Sequence, residues 1–475
     1  MRFNRVLLGL LPSMNKRPVR VNGGVGYIAE VLENTDVEYE VFDMLLDRTY
    51  AKLKQAVKRY NPDLLAFNMF TVYFRKNYGL LEQLKVDFPK IPILIGGPHI
   101  STMKERVLLD CSAIDFGIVR EGENAILELV RGDVEKSIGG LIYRGEQGEV
   151  EFNEGRSIVD LDSVAFPKYN KFKLERYVDH AIPLSTSRGC PYNCIFCTVG
   201  SVMGKQIRFK NAQNVVDEIE YWVEAGYRDF CIDDDNFTFD STRVFEICDE
   251  IDRRGIKHVE FRPHNGVRAD RTSLEMFRRM KEVGFNYIQV AVESGSDKVL
   301  KSLRKGESIQ QIEQCIKDAT EVGMEVQLGF VVGAPSETWS DLMNSIELAG
   351  KYEVWRADFL NLIPFPGTEL FEWVRNNGHF LEEPEKYLNR DIDYDEPLFE
   401  TALLSKEERR EITRITNRLN KKLRYNAALR KLKRYGYFGG VIAFVFATDL
   451  FQKSYGQKRF VRYLSDKVRR RLSKS

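Results

Sequence analysis

The sequence predicts an α/β chain with a doubly wound parallel sheet at its N-terminus, then a partial, TIM-like β/α barrel, then a helical C-terminal region. Three observations carry this. Residues 1–137 alternate short apolar runs with amphipathic segments, residues 181–398 repeat a strand–helix unit six times, and from residue 399 the strand pattern stops. Residues 138–180 read as a connecting segment that begins with a hairpin, GGLIYRGEQGEVEFNEG, and continues through Pro167 and Tyr169.

In the first domain the runs RVLLGLL, DLLAFNMF and IPILIGG are apolar without alternation, as expected of strands buried on both faces. Ligands of such sheets sit beyond the carboxyl ends of the strands. That rule selects Ser13, Asp43, Asn68, Phe70, Thr71, Gly96, Gly97, Glu121 and Gly122 as candidate binding residues. His99 beside Gly97 is expected to bond a ligand phosphate or amide, or to cap its helix.

The second series runs from PLSTSRG through strands DFCIDDD, HVEFRPHNG, YIQVAVES, EVQLGFVVG and WRADFLNLI, and several of the intervening helices close on glycine. Barrels of this kind work at the C-terminal ends of their strands, where the unusual residues fall. Cys190, Cys194 and Cys197 stand at CxxxCxxC spacing in the loop after the first of these strands. Soft thiolates in one short loop suit an iron–sulfur cluster, and three of them leave one iron open for a chelating cosubstrate. A zinc site would want a fourth ligand, for which His180 is the local candidate.

Composition sets the frame. Lys plus Arg number 71 and Asp plus Glu 70, a soluble balance without a nucleic-acid signature. Seven cysteines and an N-terminal apolar run too short for a signal peptide point to a reducing, cytoplasmic setting.

The run SRGCPYNCIFC, with Arg188-Gly189 before the cysteines and Tyr192 and Phe196 among them, resembles the radical S-adenosylmethionine (SAM) signature. The resemblance covers roughly residues 181–370. It implies a 4Fe–4S cluster whose open iron binds SAM and reduces it to methionine and a 5′-deoxyadenosyl radical. It also implies SAM contacts at Asp233, Asp234 and Asn236 for the amino group, at Arg268 for the carboxylate, and at Glu293. Gly329 and Gly333 in GFVVGAPSE would let backbone approach the adenine, and Pro366 would fix a loop at the barrel mouth. No side chain is assigned as a catalytic acid or base.

Residues 1–130 are similar to the cobalamin-binding domain that precedes the barrel in one radical SAM subgroup, through GGVGYIAEVLE, NPDLLAFNMFT, ILIGGPHIS and VREGE. The similarity implies cobalamin as a third cofactor. The run from Asp43 to Arg48, in the neighbourhood where a DxHxxG motif is sought, holds no histidine, so cobalt without a protein histidine is expected.

The resemblance implies a radical SAM methyltransferase acting on an unactivated carbon or a phosphorus atom. A cyclase, oxidase or carbon–carbon coupling enzyme, acting for instance on a lipid, is the alternative. A non-enzymatic iron–sulfur or corrinoid carrier is the third reading, and the full SAM set speaks against it. Expected partners are a small-molecule or lipid substrate and an electron donor such as ferredoxin or flavodoxin. The stretch from Tyr435 to Phe451 carries only Asp449 as a charge, between Arg430, Lys431, Lys433 and Arg434 on one side and Lys453, Lys458, Arg459 and Arg462 on the other. Two readings fit it: an interfacial helix on the inner face of a membrane, or a core helix over the barrel mouth.

Overall fold

The computed structural model describes residues 2–14, 20–155, 159–432 and 436–448. The N-terminal sheet has seven strands: β1 (Arg5–Leu10), β2 (Glu38–Asp43), β3 (Leu64–Asn68), β4 (Ile93–Gly96), β5 (Phe116–Ile118), β6 (Leu141–Arg144) and β7 (Val150–Phe152). Their spatial order is β2-β1-β3-β4-β5-β6-β7, and the first five pair in parallel. Successive residues of β1 enter opposite cores: Val6, Leu8 and Leu10 face one layer, Leu7 the other. That double burial is why the run shows no alternation. The chain order reverses between β1 and β3, which opens a crevice at their carboxyl ends.

The hairpin in the segment read as a connector is β6 and β7. It pairs antiparallel to β5 and extends the first sheet. Residues 159–180 then run back over the first domain. Arg176 pairs with Asp47 at 2.7 Å, Tyr177 donates to Asp43 at 2.7 Å, and the Lys168 ammonium stands 3.2 Å from Glu30.

The barrel begins with β8 (Ile182–Leu184), followed by the two-residue strand β9 (Ser187–Arg188), which pairs antiparallel with β10 (Arg208–Phe209). Its other strands are β11 (Asp229–Ile232), β12 (Glu260–Pro263), β13 (Tyr287–Glu293), β14 (Glu325–Val332) and β15 (Arg356–Asn361). Strands β8, β11 and β12 form one parallel group and β13, β14 and β15 another; a parallel bridge between Val267 and Val290 joins them. These six strands make the partial barrel. In β13 and β14 buried and half-buried residues alternate. Ile288, Val290, Val326 and Leu328 belong to the apolar core, while Tyr287, Gln327 and Asp358 hydrogen-bond one another.

The C-terminal helix Lys406–Leu432 packs along β15, and Asn420 accepts the Ala357 amide at 2.8 Å. Helix Gly436–Ala447 packs in turn on that long helix. The reading as a core helix over the mouth is therefore corrected: the described part of the run, Gly436–Ala447, lies on the long helix, which itself lies along β15. Its Ala443 is buried, while Ile442, Phe444 and Val445 are exposed. Among the described residues no helix is long and apolar enough to cross a membrane. Lys433, Arg434, Tyr435, Asp449 and the basic residues from Lys453 onward lie outside the described residues.

Candidate active site and cofactor pockets

The three cysteines lie on the loop that follows β9, with Cys190 and Cys194 half-buried and Cys197 exposed. Backbone bonds fix this loop from two directions: Ile195 N–H donates to the Leu303 carbonyl at 3.2 Å, and Leu370 N–H donates to the Ile195 carbonyl at 2.8 Å. Desolvation raises the Cys190 and Cys194 thiols above their ordinary values. A bound cation would favour loss of their protons.

Beneath the loop lies a buried charge network. Lys305 Nζ stands 3.1 Å from Glu293 Oε1 and 3.3 Å from Glu307 Oε2. Burial works against the ammonium, but the two carboxylates outweigh it and hold its pKa above the usual value. Glu293 has φ +62°, a left-handed conformation uncommon for a non-glycine residue and concentrated at functional sites. Arg268, expected at the SAM carboxylate, instead donates to Asp270 at 3.0 Å and to the Lys305 carbonyl at 2.7 Å, and lies over the Tyr192 ring at 3.5 Å. It braces the cysteine loop.

The three adjacent aspartates after β11 divide. Asp234 is buried and accepts from Thr186 N at 2.6 Å, Thr186 Oγ1 at 2.5 Å and Ser187 Oγ at 2.6 Å, so its carboxylate clamps β11 to the β8–β9 turn. Its expected role as a side-chain SAM ligand is corrected, because its oxygens are taken. Asp233 faces Arg20 at 3.9 Å, and burial raises its pKa. Asp235 accepts from Gly189 N–H at 3.2 Å, and burial, with Asp234 beside it, lifts it to about 6. Asn236 is buried, yet neither its Oδ1 nor its Nδ2 has a partner among the described residues. An orphaned amide at a strand end marks a place for a polar ligand.

Gly329 sits mid-strand in β14 with Gln289 Nε2 at 3.4 Å from where a Cβ would stand. Gly333 has φ +98°, and a Cβ there would meet the Arg409 guanidinium at 2.5 Å. Arg409 is fully buried, donating to Asn361 Oδ1 at 2.8 Å and to the Val332 carbonyl at 3.1 Å. The group that fills the space where a Gly333 side chain would stand is thus a side chain of the C-terminal helix. Beside it Glu337 accepts from Gly333 N–H at 2.6 Å, and burial pushes its carboxyl up to about 7. Gly367, the residue after Pro366, lies against the first domain, where a Cβ on it would stand 2.4 Å from Thr102 Cγ2.

A cavity of about 350 Å³ lies at the carboxyl ends of the N-terminal strands. Phe70, Gly96, Gly97, Glu121 and Gly122 line it, together with Asn22 and Gly23 at the start of helix Gly23–Glu33 and Asp233 from the barrel. Asn68 Oδ1, at the end of β3, is buried without a partner on this wall. Ser13 and Thr71 are not part of the lining. The loop from Asp43 to Arg48 ends the edge strand β2 and meets Arg176 and Tyr177, away from the crevice. The strand order of the sheet, invisible in composition, puts it there. His99 is a core histidine: 2% exposed, bonded to Tyr78 Oη at 2.8 Å and lowered to about 4 by burial, which corrects its expected ligand contact. Glu121 touches the cavity but spends its carboxylate on Arg188 and Arg208, each at 2.7 Å.

A second cavity, of about 780 Å³, has Cys190, Cys194 and Cys197 on one side and Thr102, Val119 and Arg120 of the first domain on the other. Arg120 lines both cavities.

Residues 184–349 match the model of the radical SAM superfamily, and residues 21–130 that of the B12 binding domain. The chain belongs to the radical SAM superfamily. Its place is the subgroup in which a B12-binding domain precedes the barrel. The chain is 29% identical over 397 residues to an uncharacterised methyltransferase of Pyrococcus horikoshii, covering 80% of this chain and 85% of that one. It is 26% identical over 433 residues to the cytidylyl-2-hydroxyethylphosphonate methyltransferase of Streptomyces wedmorensis, covering 77% and 80%. The fold matches that of the radical SAM methyltransferase TsrM from Kitasatospora setae, solved with cobalamin and a [4Fe-4S] cluster, with TM-score 0.67 at 19% identity over 79% of this chain and 75% of that one.

The radical SAM domain implies a 4Fe–4S cluster and SAM, and the B12-binding domain implies cobalamin. The residues of this radical SAM enzyme fit these groups. Among the described residues no three Cys, His, Asp or Glu side chains could hold one metal ion together. A cube takes its thiolates on separate irons, so three cysteines spaced along one loop suit it. The orphaned Asn236 amide offers donor and acceptor to SAM, and the orphaned Asn68 oxygen and the glycine-lined strand ends suit a planar corrin edge. Sequence reading found Asn68 at its strand end but missed Asn22 and Arg120. The helix-capping Asn22 before GGVG was the available signal.

Proposed function

We propose that the enzyme is a cobalamin-dependent methyltransferase that acts on an unactivated carbon or a phosphorus atom of a substrate held in the 780 Å³ cavity. The cluster with SAM supplies hydrogen abstraction, and the corrin supplies the methyl carrier. The observation that carries the reading is the shared position of Arg120: one cavity reaches the cysteine loop, the other occupies the B12-domain crevice, and this residue lines both. A substrate between them is within reach of both sides. The protein's own work is to hold that substrate and shield the radical from water. The methyltransferase names of both relatives support the reading. An electron donor such as ferredoxin or flavodoxin is the proposed reductant, and the exposed Ile442, Phe444 and Val445 support contact with a membrane surface and a lipid or small-molecule substrate.

The test is anaerobic reconstitution with iron, sulfide and hydroxocobalamin, then product analysis. Methyl transfer uses SAM twice, so S-adenosylhomocysteine and 5′-deoxyadenosine should accumulate together. If the corrin washes away and only 5′-deoxyadenosine forms, the methyltransferase reading falls.

A further inference from the structure

The basic and acidic side chains that line the larger cavity are unequal in number. Four cations line it, Lys104, Arg120, Lys205 and Arg304, against two carboxylates, Glu154 and Glu369. Arg304 is matched by Glu369 at 2.6 Å. Lys104, Arg120 and Lys205 have no carboxylate partner among the described residues; Lys104 rests only on the Phe152 ring, 5.5 Å from its centroid. Of these, Lys104 and Arg120 belong to the first domain, across the cavity from the cysteines.

The backbone supports the same point independently. Lys104 has φ +48°, Arg120 φ +64° and Arg304 φ +54°. Long side chains rarely adopt this region, and such strain persists where surrounding structure enforces it, often at ligand sites. At Arg120 the enforcing contact is its own amide, which donates to the buried Ser101 Oγ at 2.8 Å. At Lys104 it is the amide bond to the Ile100 carbonyl at 2.8 Å that ends helix Pro98–Met103. Both basic residues are thus fixed at the point where they enter the cavity wall, beside the hydroxyls of Thr102 and Thr368.

We infer that this cavity takes its substrate by an anionic oxygen-rich group, a phosphoryl or carboxylate, held by Arg120 and Lys104 with Lys205 as a third cation. The inference rests on the reading of this cavity as the substrate site. A guanidinium fork and an ammonium on the wall opposite the cysteines suit the oxygens of such a group.

The test uses the full chain, reconstituted with cluster and hydroxocobalamin and free of SAM, titrated with inorganic phosphate at low ionic strength and followed by ³¹P line width. Saturable broadening is expected. Arg120→Ala combined with Lys104→Gln should weaken the apparent affinity about tenfold, while Lys257→Gln, an exposed lysine far from the cavity, should change it by less than about twofold. SAM affinity of the double variant should stay within about twofold of the parent. Absence of saturable broadening, or equal broadening in the double variant, overturns the inference. So does a loss of SAM affinity in that variant, which would assign the cations to the SAM carboxylate. Failure of methyl transfer with phosphate binding intact overturns only the functional reading.

Discussion

Arg188 Nη1 lies 2.7 Å from Glu123 Oε1, and the same nitrogen lies 2.7 Å from Glu121 Oε1. The arginine stands two residues before the first cysteine of the loop; both glutamates belong to the B12-binding domain. All three side chains are less than a tenth exposed, and the guanidinium also covers the Tyr27 ring at 4.5 Å. The cluster loop is therefore tied to the neighbouring domain by a buried ion triad.

Removing one member of such a triad strands the others. Arg188→Met should cost about 3 to 5 kcal/mol, because buried Glu123 loses its cation and Glu121 is left with Arg208 alone. Adding Glu123→Gln should restore part of that loss. Denaturant unfolding of the three proteins measures both steps; an Arg188→Met chain as stable as the parent would contradict the triad's role.

Cys190→Ala, Cys194→Ala and Cys197→Ala should each abolish SAM cleavage, since a missing thiolate opens a second iron. Cys111→Ala and Cys248→Ala, buried in the cores of the first domain and the barrel, should lose only stability, about 1 kcal/mol each. The assay is 5′-deoxyadenosine formation by the reduced enzyme. Full activity in any of the first three would remove that cysteine from the cluster.

Asn236→Ala separates ligand binding from folding. Neither amide atom has a partner among the described residues, so stability should hold within about 0.5 kcal/mol or rise. SAM affinity should fall by about 1 to 3 kcal/mol, measured calorimetrically with the cluster intact. A stable variant with parental SAM affinity would leave the orphaned amide without a ligand role.

Glu337 gives a pH signature. Its folded pKa of about 7 lies above the ordinary carboxyl value, so the folded state holds the proton more tightly. The stability it contributes is complete below the unfolded carboxyl pKa and disappears as pH rises through about 7. The difference in Tm between parent and Glu337→Gln should therefore move in favour of the glutamine variant on going from acid to mildly alkaline solution. A pH-independent difference would show that Glu337 titrates normally.

Much of this was legible in the sequence because it is local. The thiolate spacing, the apolar runs of β1, β3 and β4 and the six barrel repeats each lie within a short window, where periodicity and ligand spacing act. What escaped depends on distant partners. Nothing near Asp234 says that Thr186 and Ser187 will claim its oxygens, and nothing near Gly333 announces Arg409. The loop from Asp43 to Arg48 looked like a ligand site until strand order placed β2 at the sheet edge. Arg268 is the middle case: Asp270, two residues on, was visible as a partner, but the Lys305 carbonyl was not.

The contact between Gly367 and Thr102 has a metric consequence. With no side chain on the barrel loop, and a methyl of the first domain where a Cβ would stand, the two halves meet at a separation that admits nothing larger than hydrogen. A side chain at position 367 would have to turn Thr102 aside or lift the loop, so this glycine sets how closely the barrel loop and the B12-binding domain approach at this point.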